Sequence, residues 1–224
     1  MIFTRQLPSS RPRHRRCRSG FLLAPVLALT MLGGAESGSA QVSWDAPLLV
    51  APTNPGGLGL YLLDTHPGDG VGFMGVWRPG EGTGPLGYRV GVGEGFQGRL
   101  SVFGGVDIRG SFIRATEEVP VEVVWVAGAG LGVGDGLAVS FPLGLSAGSV
   151  FQLEEVALSP FISPRVVLDA HLGDDHPRDR DGLTLGLAVD LGVDISMTPD
   201  WTLRFGAVVG DRSGLAIGVH FPGF

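Results

Sequence analysis

The chain has 224 residues, one domain's worth, with 44% apolar residues, 17% charged residues and a net charge of −6. Its 38 glycines sit in too apolar a composition for a disordered segment, and a single cysteine, Cys17, excludes a disulfide framework. An acidic chain with no basic groove or aromatic platform is a poor partner for nucleic acid, so no nucleic-acid function is expected.

Residues 1–20 carry Arg5, Arg11, Arg13, Arg15, Arg16 and Arg18 and no acid. Phe21–Leu32 is apolar, and small residues follow as far as Gly38-Ser39-Ala40. A basic end, a short apolar core and a small-residue site, in that order, mark a secretory signal peptide. The apolar run is well short of the ~20 residues that a spanning helix needs. Cleavage is expected after Ala40, with Ala35 the second choice. Cys17 precedes the apolar core instead of following it, which argues against a lipoprotein. Without residues 1–40, ten arginines face 21 acids, a net charge of −11.

Residues 41–57 contain several prolines and no period. They read as an irregular periplasmic lead-in with a short extended piece at Leu48–Val50. The domain proper is expected over 58–224, as alternating runs at 58–64, 71–78, 86–94, 99–113, 120–133, 136–148, 155–172, 182–197, 200–210 and 214–221. Gly, Asp and Pro turns separate them. No helical period interrupts the series, so the class is all-β.

The run Leu183–Met197 shows the pattern most fully. Its odd positions are all apolar, whereas its even positions are Thr184, Gly186, Ala188, Asp190, Gly192, Asp194 and Ser196. Strict alternation is a strand with two unlike faces. A strand that crosses a bilayer obliquely needs ~9–11 residues, and this one exceeds that. A soluble barrel would put long charged side chains on its polar face. Small residues with a few acids suit the crowded interior of a narrow barrel whose apolar face meets lipid. The expected fold is therefore an antiparallel up-and-down transmembrane β-barrel. Ten runs give ten strands, or eight if the pair at 58–78 stays outside the wall. Alternation also allows a soluble, lipid-binding barrel with its apolar face inward, and that is the second reading.

The chain closes on Ser213-Gly-Leu-Ala-Ile-Gly-Val-His-Phe-Pro-Gly-Phe224. This resembles the last strand of Gram-negative outer-membrane β-barrels, which alternates apolar residues and ends on an aromatic. Leu215, Ile217, Val219 and Phe221 supply the alternation, and Phe224 the terminal aromatic. Pro222-Gly223 puts the two phenylalanines out of phase, so either one could serve as the terminal signal. The resemblance implies an outer-membrane location and an assembly signal at the C-terminus. It further implies periplasmic chaperones and barrel-assembly machinery as partners during biogenesis, and lipid and lipopolysaccharide as surroundings. Both chain ends would lie on the periplasmic side, with the connection at 173–182 outside the cell.

Strand parity points Arg89, Arg109, Arg165 and Arg204 inward with Asp107, Glu122, Asp169, Asp190 and Asp194. His171 and His220 share that parity. Opposite charges inside a narrow barrel are expected to pair, since isolated ones are costly. Such a network either fills the barrel or lines an ion-handling lumen, and filling is the expectation for a barrel of about eight strands. The loop Asp174–Asp181 mixes acids, His176 and arginines, and reads as a solvated surface loop rather than a cation site. No G-x-S-x-G, H-E-x-x-H or nucleophile–base pair appears, so no catalytic residue, cofactor or metal is assigned. The function expected is that of an outer-membrane barrel with a structural, adhesive or narrow-pore role. A lipid-modifying enzyme of the outer membrane is the remaining alternative.

Overall fold

A computed structural model describes residues 47–53, 56–65, 70–79, 86–94, 100–134, 137–172 and 182–223. The alternating runs become β1 (Gly57–Thr65), β2 (Gly70–Arg78), β3 (Leu86–Glu94), β4 (Leu100–Ile113), β5 (Glu122–Val133) and β6 (Leu137–Gly148). They continue as β8 (Ala157–Leu172), β9 (Gly182–Ser196), β10 (Thr202–Gly210) and β11 (Gly214–Pro222). The very short β7 (Phe151–Gln152) pairs only with the start of β8. Each long strand pairs antiparallel with its sequence neighbour, β6 pairs with β8, and β11 returns to pair with β1. The result is a closed antiparallel barrel of ten strands. The eight-strand alternative is corrected: β1 and β2 belong to the wall, and β1 pairs along its full length with both β2 and β11. Closure leaves no unpaired edge, which matters most where no water is available to satisfy backbone groups.

The two ends of the barrel follow from the topology. The connections 79–85, 114–121, 149–156 and 197–201 lie at the end where β1 begins and β11 finishes, called here the terminal end. The connection 173–181 lies at the opposite end, as do the shorter ones on that side. Long connections therefore occur at both ends. The longest strands, β8 and β9, run side by side over Ala157–His171.

In β9 the odd positions face outward: Leu183, Leu185 and Leu187 are 71%, 72% and 63% exposed, whereas Asp190 and Asp194 are buried. β10 repeats the pattern with Thr202, Arg204, Gly206 and Val208 buried inside. Large apolar side chains such as Val90, Leu100, Leu131, Leu143 and Ile162 lie exposed on the outside of other strands. The polar side chains Arg89, Ser101, Asp107, Ser140, Ser163 and Arg165 are buried within. The inward-apolar alternative, a lipid-holding soluble barrel, is thus contradicted by the facing of the wall. Several inward glycines exist to receive aromatic rings. A Cβ at Gly192 would lie 2.1 Å from the Phe161 ring, and one at Gly91 would lie 2.2 Å from Phe103. Each ring covers the glycine that stands opposite it in the neighbouring strand.

The lead-in brings the largest departure from expectation. Residues 47–52 form no strand, yet Leu48, Leu49, Val50 and Ala51 are between 0% and 2% exposed. They lie inside the barrel, packed against its inward side chains. The segment runs from Gly206 in β10, where Pro47 and Leu49 pack, to the terminal end, where Pro52 packs against Gly148. Leu49 packs with Tyr61, Leu63, Met74, Val76, Phe103 and Ala216, while Leu48 and Val50 pack with Val124 and Val126. Opposite walls of the lumen are bridged by one short segment.

Candidate functional site

The inward charges gather into four groups. Asp107 on β4 accepts from Arg89 on β3 at 2.9 Å and from Arg78 at the end of β2. Arg165 on β8 meets Asp190 on β9 through two bonds of 2.8 and 3.1 Å. Arg204 on β10 meets Asp194 on β9 through two bonds of 2.6 Å. The fork-to-fork geometry of these last two pairs is the strongest form of ion pair a guanidinium makes. Asp169 on β8 accepts from Ser140 and from Arg212, which lies in the turn after β10. Burial lowers the Arg212 guanidinium to about 10, which leaves it a cation at neutral pH.

Strand registry explains two of these groups directly. Asp194 stands opposite Arg204 in the β9–β10 ladder, so one pair of adjacent strands supplies both charges. Arg165 stands opposite Ala188, two residues from Asp190, and reaches it on the diagonal. Eight of the nine charges assigned from parity take part in the hydrogen bonds just described, counting Arg109, whose guanidinium donates to the Ala51 carbonyl at 3.4 Å. Glu122 stands half-buried at the terminal end of β5. His220 is buried and His171 half-buried. Two participants were not anticipated. Arg78 shares the inward parity of Gly72, Met74 and Val76, a signal present in the sequence. Arg212 sits in a turn, where no parity applies.

The lead-in completes the site. Its four successive carbonyls each accept from a different strand: Leu48 from Arg89 at 3.2 Å, Leu49 from Arg204 at 2.8 Å, Val50 from Ser146 at 2.6 Å, and Ala51 from Arg109. The Leu48 N–H donates to Asp190. Arg204 also donates to the Tyr61 hydroxyl at 3.3 Å. Leu49 adopts a left-handed φ of 52°. For a residue with a Cβ that costs about 1–2 kcal/mol. Burial of the Leu49 side chain contributes roughly 1.5–3 kcal/mol, enough to hold the kink in place. The side chains of Arg165 and Asp190 are 1% and 0% exposed, so no water-sized path runs past them.

Outside, the aromatic residues are unevenly placed. Trp77 and Tyr88 stack at 5.6 Å near the terminal end, and Phe112, Trp125, Phe151 and Phe221 stand toward the same end. Among the described residues, every outward Trp and Tyr of a strand lies on that side. Amphipathic rings at one rim of an apolar wall are the mark of a membrane interface. The fold is that of a membrane-spanning β-barrel.

No family model and no curated protein matches the chain. Among solved structures, it is similar to a chain described as "De novo design of transmembrane beta-barrels", at 13% identity and a TM-score of 0.34, over 76% of this chain and 98% of that one. It is also similar to a KdgM porin, at 7% identity and a TM-score of 0.35, over 75% and 99%. The barrel assignment stands on the strand pairing and on the two faces of the wall.

The described residues hold no group of three or more His, Cys, Asp or Glu arranged to bind a metal ion. The loop 174–181, with His176, lies outside the described residues, as do residues 1–46 and Phe224.

Proposed function

We propose that the protein is an exported outer-membrane β-barrel with a structural role, closed to solutes in its resting form. The observation that carries this reading is the two-faced wall: exposed leucine, valine and aromatic side chains outside, and buried ion pairs with a docked segment inside. Export follows from the signal-peptide order of residues 1–40, with a mature N-terminus at Gln41, or at Glu36. Lipid and lipopolysaccharide surround the wall, and chaperones with the barrel-assembly machinery deliver it. The assembly signal is the closing strand, Leu215, Ile217, Val219 and Phe221, ending on Phe224. Phe221 stands opposite Leu58 in the β1–β11 ladder, where the barrel shuts. Phe221→Ala is therefore expected to lower the yield of heat-modifiable barrel more than Phe224→Ala does.

Two measurements test the reading. The mature protein should stay in the outer-membrane pellet after a carbonate wash, and release by the wash would defeat the membrane assignment. Planar bilayers containing the wild-type barrel should show no steady conductance. A stable single-channel current would replace the structural role with a narrow pore.

A further inference from the structure

We propose that the terminal-end half of the lumen is a binding site for a short apolar peptide, occupied in cis by residues 47–52. Three features make it a site and not merely a filled core. First, recognition goes to the main chain: four consecutive carbonyls are met by side-chain donors from β3, β10, β6 and β4. Those donors read the backbone whatever its side chains, much as peptide-binding grooves do. Second, the segment adds no strand to the sheet, so the wall closes through β6–β8 and β1–β11 without it. Third, the cradle is shaped for a branched apolar side chain. The Leu49 Cδ2 lies 2.4 Å from where a Cβ on Gly206 would stand, and its other neighbours are Tyr61, Leu63, Met74, Val76, Phe103 and Ala216.

The ligand class follows from this chemistry. The occupant must be uncharged over about four residues and able to take the left-handed kink of Leu49, with a leucine-sized side chain at the Gly206 cradle. An acidic or basic residue there would be buried without a partner. The occupant's carbonyls accept from Arg89, Arg109 and Arg204. Removing the cis segment therefore leaves a cavity lined by donors aimed at an absent backbone. The same segment supplied in trans should enter it.

The experiment uses purified barrel in detergent micelles, so its result is independent of the membrane assignment. Residues 47–52 are replaced by six Gly/Ser residues in one variant, and Leu49→Asp is made in the full chain as a second. The probe is a dye-labelled peptide with the sequence of residues 46–53, followed by fluorescence anisotropy. Folding is checked by heat-modifiable migration. Both variants should bind the peptide saturably, at least tenfold more tightly than the wild-type barrel, whose site is filled. A peptide carrying aspartate at the Leu49 position should lose that binding. Absence of saturable binding in a folded variant overturns the proposal, and so does equal binding by wild type. Equal binding of the aspartate peptide overturns it as well. If neither variant folds, residues 47–52 belong to the folding core and the site does not exist as a site.

Discussion

Two layers of the lumen solve the same problem differently. At the Arg165–Asp190 layer the wall supplies both charges: a guanidinium from β8 and a carboxylate from β9 pair with each other, and the docked segment adds only the Leu48 N–H to Asp190. At the Arg204 layer the wall is incomplete. Asp194 takes two of the guanidinium's donors, and the Leu49 carbonyl takes another, supplied by a segment that belongs to no strand. The first ion pair is set by strand registry, with one further donor from the segment. The second needs a separate piece of chain to find its place after, or while, the barrel closes. A narrow barrel can therefore be filled partly by its own wall and partly by a tenant.

The largest effect should come from breaking the Arg165–Asp190 layer. Asp190→Ala leaves Arg165 buried without its carboxylate and should cost about 3–5 kcal/mol. Urea unfolding in micelles measures this, and the double variant Asp190→Ala/Arg165→Met should recover much of the loss. The outer face comes next. Leu187→Arg puts a cation into lipid near mid-strand, at about 2–4 kcal/mol for a residue at the bilayer midplane, read as the unfolding free energy in lipid vesicles. Thr184→Asn, on the other face and near the rim, should be far milder.

Smaller effects belong to the tenant layer. Gly206→Val should drive the Leu49 side chain from its cradle and cost about 1–3 kcal/mol, with raised protease sensitivity near residues 47–52. Gly104→Ala is the control. Its added methyl meets nothing nearer than 3.6 Å, and it should leave stability unchanged. The smallest effect is expected from Ser146→Ala, which removes one donor to the Val50 carbonyl and should cost about 0.5–1.5 kcal/mol in the same unfolding assay.

The contrast between the two layers also explains what was legible in advance. The wall announces itself because a strand alternates with period two, so Leu187 and Asp190 declare their opposite faces from their numbers alone. Once each strand's parity is known, Arg89, Asp107, Arg165 and Arg204 follow, and Arg78 would have followed from Met74 and Val76. Which carboxylate meets which guanidinium depends on ladder registry, and alternation within one strand carries no registry. The tenant is silent for a different reason. Residues 47–52 interact through main-chain carbonyls, which every residue has, and through apolar side chains that would suit a lead-in of any location. β7 is too short to show a period at all. Arg212 reaches Asp169 from a turn, where only the folded path of the chain brings them together.

The central claim is that odd positions of β9 meet lipid and even positions meet the lumen. Single cysteines placed in turn at positions 183–196 of the mature chain, nitroxide-labelled and reconstituted in vesicles, test it directly. Collision rates with molecular oxygen, which concentrates in lipid, should rise and fall with period two and peak at 185, 187, 189 and 191. Collisions with a water-soluble nickel complex should stay low at those same positions. Nickel collisions as frequent at 187 and 191 as in an aqueous loop would show that this face meets water, and the membrane barrel would have to be abandoned.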